Sequence, residues 1–233
     1  MLTMDASALS NNIAKLRQRV RLSAEKSQRK ECDIRILAAS KTRDANTVKA
    51  ASELGLRDFG ENYLQEALVK IEQLQGLDIC WHFIGPIQSN KTRLIAEHFD
   101  WVHSVDRAKI ARRLSEQRPA QLPPLQVCLQ VNVSNEASKS GVSLDDLPPL
   151  VEAVAALPNL VLRGLMAIPE ASDDTDVQRC AFHKLHTALT DMQALAPTLD
   201  TLSMGMSGDL EAAIAEGATM VRIGTDIFGP RDG

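Results

Sequence analysis

Three stretches of this chain carry polar, reactive residue types where an apolar interior is expected. IRILAASKTRD (residues 34–44) opens as a buried run through Ile34, Ile36, Leu37, Ala38 and Ala39, then passes to Ser40, Lys41 and Thr42 with no turn residue between. SMGMSGDLEAAIAEG (203–217) places Gly205, Ser207 and Gly208 before a helical pattern, and TMVRIGTDIFG (219–229) buries an arginine among Val221 and Ile223. A lysine desolvated near another cation has a depressed pKa, and its free amine attacks carbonyls. Glycines let a backbone approach an anion closely, and a helix opened by Asp209 points its unpaired N–H groups the same way, with the Ser207 hydroxyl as a further donor. Period-two alternation puts Met220, Arg222 and Gly224 on one face and Val221 and Ile223 on the other, so Arg222 is expected to point inward. Each has a plainer alternative. Lys41 could be the first solvated residue after a strand, Ser207 or Asp209 an ordinary helix cap, and Arg222 half of a buried salt bridge to a carboxylate such as Glu61.

The elements that must position these residues are legible as an alternation. Strand-like runs lie at 34–41, 58–61, 81–85, 101–105, 125–133, 161–168, 201–206 and 219–224, with helical patterns near 44–54, 62–75, 89–98, 106–117, 144–156, 174–195 and 208–217. Asp44, Asn62, Asp106 and Asp209 are candidate N-caps, and Gly55, Gly76 and Gly217 candidate stops. Strands alternating with amphipathic helices indicate a parallel sheet, and eight of them a closed (β/α)8 barrel of the α/β class. Too few residues follow the eighth strand for a closing helix. A helical pattern over 5–27, with Leu9, Ile13, Leu16, Val20 and Ala24 three and four apart, is expected to fill that place on the wall. An open doubly wound sheet would want a GxGxxG turn after an early strand, and none is present. The chain is read as one barrel domain, 1–233.

The active face of such a barrel is the C-terminal end of its strands, and phosphate often binds the loops after strands seven and eight. Lys41, the Ser207 loop and the Gly224–Thr225 loop would then converge, with Arg222 across the mouth. That set matches the needs of pyridoxal 5′-phosphate (PLP): Lys41 for its aldehyde as a Schiff base, and Ser207, Gly224 and Thr225 for its phosphate. An arginine at the pyridine nitrogen would keep that nitrogen unprotonated and the ring a poor electron sink.

The motifs LAASK, FGENYLQE, WHFIGPIQSNK, SKSG, RGLMAIP, SMGMSGDLEAAIAEG and VRIGTDIFG, in this order between about residues 34 and 229, closely resemble the pyridoxal phosphate homeostasis proteins. These are similar to the N-terminal barrel of alanine racemase standing alone. The resemblance implies that Lys41 bears the Schiff base, that Ser207, Gly224 and Thr225 hold the phosphate, that Arg222 faces the pyridine nitrogen, and that Asn62 and Met166 line the ring. It implies a monomer that binds PLP covalently and buffers or delivers it in vitamin B6 and amino-acid homeostasis, with apo PLP-dependent enzymes as recipients and no established turnover. No motif position departs from the family pattern.

Composition narrows the alternatives. The 233 residues carry 26 Lys and Arg against 30 Asp and Glu, a net charge of −4, and only 3% aromatics, so no nucleic-acid surface is expected. No signal peptide or membrane-length apolar run is seen, and Cys32, Cys80, Cys128 and Cys180 form no CxxC pair, which fits a reducing, cytoplasmic setting without a zinc or disulfide framework. The competing functions are a PLP-dependent amino-acid racemase and a Schiff-base aldolase without cofactor. Racemisation needs acid/base groups on both faces of the substrate Cα, and the sole tyrosine, Tyr63, is read as a packing or ring-edge residue. The aldolase gives Arg222 no role. His82, Gln88, Ser89, Asn90 and Lys91 are read as a polar rim of the mouth or a solvated helix start. Lys139 is either a ligand for a carboxylate or aldehyde or a loop lysine, and His183 and His186 are a surface or packed pair without a third metal ligand.

Overall fold

In a computed structural model, which describes residues 6–134 and 140–230, eight parallel strands close into a barrel in sequence order. They are β1 (Arg35–Ala39), β2 (Asp58–Glu61), β3 (Cys80–Phe83), β4 (Trp101–Val105), β5 (Leu125–Gln130), β6 (Leu160–Met166), β7 (Thr201–Ser203) and β8 (Met220–Ile223). The helices are α1 (Ala6–Lys26), α2 (Ala45–Glu53), α3 (Leu64–Gln73), α4 (Thr92–His98), α5 (Ala108–Gln117), α6 (Leu147–Ala155), α7 (Thr175–Met192), α8 (Leu210–Ala215) and the single turn α9 (Thr225–Phe228). The barrel closes where β1 meets β8, with Arg35 opposite Met220, Leu37 opposite Arg222 and Ala38 opposite Ile223.

Two apolar layers hold this frame. The larger lies between strands and helices and takes in Ala38, Phe59, Val102, Val127, Leu202, Val221 and Ile223 together with the inner helix faces. A smaller cluster of Leu37, Trp101, Cys128, Met166 and Met220 fills the barrel interior. The alternation expected for β8 is thus present, Val221 and Ile223 facing the outer helices and Met220 the inside.

Helix α1 takes the vacant eighth position. Leu9, Ile13, Leu16, Val20 and Ala24 are all at most 2% exposed, and each of the four larger side chains contributes about 1.5–3 kcal/mol by leaving water. The helix packs on α8 and α9. Asn12 Nδ2 donates to Ile227 O at 3.1 Å, and Arg29 Nη1 to Ile214 O at 3.0 Å.

The strands end earlier than the apolar runs do. β1 stops at Ala39 rather than 41, β5 at Gln130, β6 at Met166 and β7 at Ser203, because the final residues of each run leave the ladder to build loops over the barrel mouth. Asp44 caps α2 as expected, its carboxylate accepting from Thr47 N at 2.7 Å. The cap residues of α3 and α5 are Tyr63 and Arg107, one past the expected Asn62 and Asp106. Gly55, Gly76 and Gly217 stop their helices in the left-handed region, with φ of 87°, 85° and 97°.

Candidate functional site

A cavity of about 320 Å³ opens at the C-terminal end of the strands, near the lower bound of the roughly 300–1,000 Å³ usual for small-ligand sites. Its lining brings together six of the seven residues singled out from sequence: Lys41, Asn62, Ser207, Arg222, Gly224 and Thr225. Met166 is not among them. It is fully buried in the barrel's inner apolar cluster, because inward-facing positions of β6 supply packing before they reach the mouth. Arg43 of the β1–α2 turn adds a third cation to Lys41 and Arg222, so the lining favours an anion.

Lys41 sits in a turn that the protein clamps on both sides. Thr42 has φ of 67°, a left-handed conformation that strains a β-branched residue by about 1–3 kcal/mol. On one side, Thr42 N donates to Glu66 Oε2 at 3.2 Å. On the other, Ser40 N bonds Gly60 O at 2.9 Å, and Ser40 Oγ donates to Glu61 Oε1 at 2.6 Å. Lys70 of α3, 4% exposed, reaches in to bond both Ser40 O at 2.9 Å and Glu61 Oε1 at 2.7 Å. Burial pushes the Glu61 carboxyl above its ordinary range, against the opposing pull of Lys70 and Ser40. Glu61 Oε2 is buried with no partner. Neither Lys70 nor Glu66 stands out in the sequence, since both read as surface positions on an amphipathic helix.

Arg222 points inward as expected and is 5% exposed. The salt bridge to Glu61 considered from sequence does not form. Glu61 pairs with Lys70, and the guanidinium bonds neutral acceptors instead: Nη1 to Ser203 O at 2.5 Å and Ser203 Oγ at 3.0 Å, and Nη2 to Ala167 O at 2.8 Å. Burial lowers its pKa to about 10, with Asp209 opposing, which leaves it a cation at pH 7.

The β7–α8 loop and the β8–α9 junction meet at Ser207, whose hydroxyl accepts from Asp226 N at 3.3 Å. Arg19 of α1 fastens this corner, donating to Ser207 O at 3.2 Å and to Glu211 Oε1 at 2.9 Å, and pairing with Asp226. A helix that completes the wall therefore also anchors the anion-facing loop, a role that its apolar stripe does not announce. Asp209 does not cap α8 through its side chain; its carboxylate turns back to accept from Met206 N at 2.5 Å. Gly205 serves the fold, because at φ +92° a Cβ there would come within 2.5 Å of Ala213 Cβ, whereas Gly208 in the lining has nothing within 4 Å.

Several expected roles fall elsewhere. His82 is not on the rim: it is 0% exposed and points into the barrel, because period two on β3 sends it inward. Gln88, Ser89, Asn90 and Lys91 form the entry to α4, outside the cavity lining. Tyr63 is 52% exposed and also outside the lining. His183 Nδ1 and His186 Nδ1 both engage Glu216, its carboxylate at 3.1 Å and its carbonyl at 2.9 Å. Lys139 lies outside the described residues. Among those described, Asp58, Cys80 and His82 bring possible ligand atoms within 4.8 Å of one another. His82 Nε2 already bonds Asp58 Oδ1 at 2.9 Å, and burial pushes the Cys80 thiol up, disfavouring the thiolate a metal needs.

The donor set fits PLP: a lysine, a buried arginine, and hydroxyl and glycine backbone groups on two adjoining loops. Asn62 adds a buried Oδ1 that the fold leaves without a partner at the cavity wall. A polar atom so placed costs about 1–3 kcal/mol unless something meets it.

Residues 4–232 match the model of the alanine racemase N-terminal domain. The pyridoxal phosphate homeostasis protein of Pseudomonas aeruginosa is 63% identical over 226 residues, covering 97% of each chain. That of Escherichia coli K12 is 50% identical over 227 residues, covering 96% of this chain and 97% of the relative. Among solved structures, PipY of Synechococcus elongatus with PLP bound superposes with a TM-score of 0.82 at 35% identity, covering 95% of this chain and all of that one. Alanine racemase of Corynebacterium glutamicum shares the fold at 16% identity, with a TM-score of 0.69, over 97% of this chain and 62% of its own.

Proposed function

The chain belongs to the family of pyridoxal phosphate homeostasis proteins, barrels of the alanine racemase N-terminal-domain type, and from that premise we propose that it binds PLP and buffers or delivers it rather than turning over a substrate. One observation carries the reading: Lys41, Arg222, Ser207, Gly224 and Thr225, from both sides of the β1–β8 closure, line one cavity. When bound, PLP supplies an aldehyde that condenses with an amine and a ring that withdraws electrons when its nitrogen is protonated.

Lys41 is the amine that holds the aldehyde covalently as a Schiff base, on a turn clamped through Ser40, Lys70 and Glu66. Ser207, Gly224 and Thr225 hold the phosphate, on a corner braced by Arg19. Arg222 presents a protonated guanidinium to the ring nitrogen. As a donor cation it would hydrogen-bond the lone pair of that nitrogen and disfavour a second positive charge on it, so the site holds the ring without making it a strong electron sink. Asn62 completes the contact to the ring. Met166 backs the site from the inner cluster. The whole acts as a single barrel domain spanning 1–233, as a cytoplasmic monomer whose recipients are apo PLP-dependent enzymes.

Carriage is favoured over racemisation because Tyr63, the residue weighed as the second acid/base group, is exposed and stands outside the cavity lining. The loaded protein, incubated in deuterated water with L- and D-amino acids and followed by proton NMR, is expected to leave every Cα–H signal intact. Stereospecific exchange at an enzymatic rate, lost in Lys41→Ala, would make it a racemase. Borohydride is expected to fix the cofactor on the native protein and not on Lys41→Ala; full fixation on that variant would move the linkage elsewhere.

A further inference from the structure

Arg222 is one end of a column of polar side chains that crosses the barrel interior. Ser203 Oγ, on β7, lies 3.0 Å from Arg222 Nη1 and 2.8 Å from His103 Nδ1. His103 Nε2, on β4, lies 2.9 Å from His82 Nδ1, and His82 Nε2, on β3, lies 2.9 Å from Asp58 Oδ1. Ser203, His82 and His103 are all 0% exposed. Asp58 begins β2, at the pole opposite the cavity, where its side chain is 15% exposed and Arg35 Nη1 is 3.4 Å away. The His82 ring stacks on Trp101 at 5.5 Å and 15°, which fixes its plane.

The charges at the two ends determine where the protons sit. A guanidinium only donates, so Ser203 Oγ accepts from Arg222 and its own hydrogen is available to His103 Nδ1. His103 then carries its proton on Nε2 and donates to His82 Nδ1, and His82 carries its proton on Nε2 and donates to Asp58. The reverse order would set an imidazole lone pair against a carboxylate and leave the Ser203 hydroxyl proton without this acceptor. Burial holds both rings below the usual histidine range, His103 furthest, with the positive Arg35 acting in the same direction at both, Arg222 at His103, and Asp58 opposing at His82. Two neutral rings in series therefore carry a one-way set of hydrogen bonds, which low dielectric strengthens cooperatively.

We propose that Asp58, His82, His103 and Ser203 are positioning residues forming a directional relay that fixes Arg222 at the cavity, so that a carboxylate at the far pole sets how tightly the cavity holds PLP. The second clause rests on the PLP reading, and the first does not.

Histidine-¹⁵N-labelled native protein without ligand, examined by long-range ¹H–¹⁵N correlation with His82→Gln and His103→Gln for assignment, tests the direction. Both rings are expected as neutral Nε2–H tautomers at pH 7. An Nδ1–H form of either, or a protonated ring, overturns the relay. Asp58→Asn, whose amide can donate or accept, is expected to mix the tautomers and to raise the Kd for PLP about 3- to 10-fold, while inorganic phosphate, held by the Ser207 corner, binds unchanged. His103→Leu should weaken PLP binding similarly, with partial recovery in His103→Gln. Unchanged tautomers and PLP affinity in Asp58→Asn refute the coupling, as does an equal loss of phosphate binding, which marks general damage to the barrel. If PLP fails to bind the native protein, the reading of the cavity and the coupling both fall, and the tautomers still decide the direction of the relay.

Discussion

Replacing Lys70 by methionine isolates the clamp behind Lys41. Lys70 Nζ makes two buried bonds, 2.7 Å to Glu61 Oε1 and 2.9 Å to Ser40 O, and Glu61 is 0% exposed. Methionine keeps most of the side-chain volume but leaves a buried carboxylate without its cation. Breaking a buried pair in this one-sided way costs about 3–5 kcal/mol. For a chain of this length each kcal/mol moves Tm by about 2–4 °C, so Lys70→Met is expected to melt on the order of 10 °C lower at pH 7.5. Adding Glu61→Gln removes the stranded charge and should recover more than half of the loss, because the residual defect is then a neutral hydrogen bond. The pH dependence has a definite sign. Without Lys70 the Glu61 carboxyl, already raised by burial, rises further, so the folded variant binds a proton that the unfolded chain does not. That contribution is fully present below the unfolded value of about 4.3 and lost as pH rises through the folded one. The deficit relative to the native protein should therefore shrink between pH 7.5 and 5, read as differences in Tm or urea midpoint. A pH-independent deficit, or a double variant no more stable than Lys70→Met, would refute the assignment of Lys70 as the partner of a charged Glu61.

His82 and His103 stay neutral when folded and charge when unfolded, so their contribution is lost as pH falls through about 6.5. Stability should therefore fall as pH drops from 7 to 5, and His82→Gln and His103→Gln should flatten the acid limb of a urea-midpoint profile. Gly164→Ala is expected to destabilise by about 3 kcal/mol or more, since its Cβ would stand 1.8 Å from Thr201 O, whereas Gly208→Ala, with open space around it, should leave the thermal midpoint unchanged. Arg19→Ala frees the Ser207 corner, and a rise in Kd of about 2- to 10-fold is expected for both inorganic phosphate and PLP by equilibrium dialysis; no change would mean that the corner is rigid without α1.

Periodicity was enough to read the barrel. The strands are buried on both faces and the helices on one, so eight short apolar runs and the stripe of α1 could be told apart by period alone. The same rule placed Arg222 inward, because Val221 and Ile223 can face only the apolar helix layer. Lys41, Ser207, Gly224 and Thr225 were legible because polar and glycine residues stand where strands end, and strand ends converge when a sheet closes. Partnership was not legible. Lys70 and Glu66 look like solvated positions on α3; Glu66 is exposed and still reaches Thr42 N, and only the finished fold carries Lys70 inward to Ser40 and Glu61. Arg19 lies 188 positions from Ser207, and nothing local to α1 encodes that contact. Met166, which only the resemblance assigned to the ring, packs in the inner cluster; His82 was misplaced because strand periodicity tells which face a side chain takes but not its height along the barrel axis. Height follows from the stagger between strands, which is fixed when all eight close together. The residue types and their faces are determined by the sequence; the partners that clamp Lys41, brace Ser207 and orient Arg222 exist only once the ring of strands is complete.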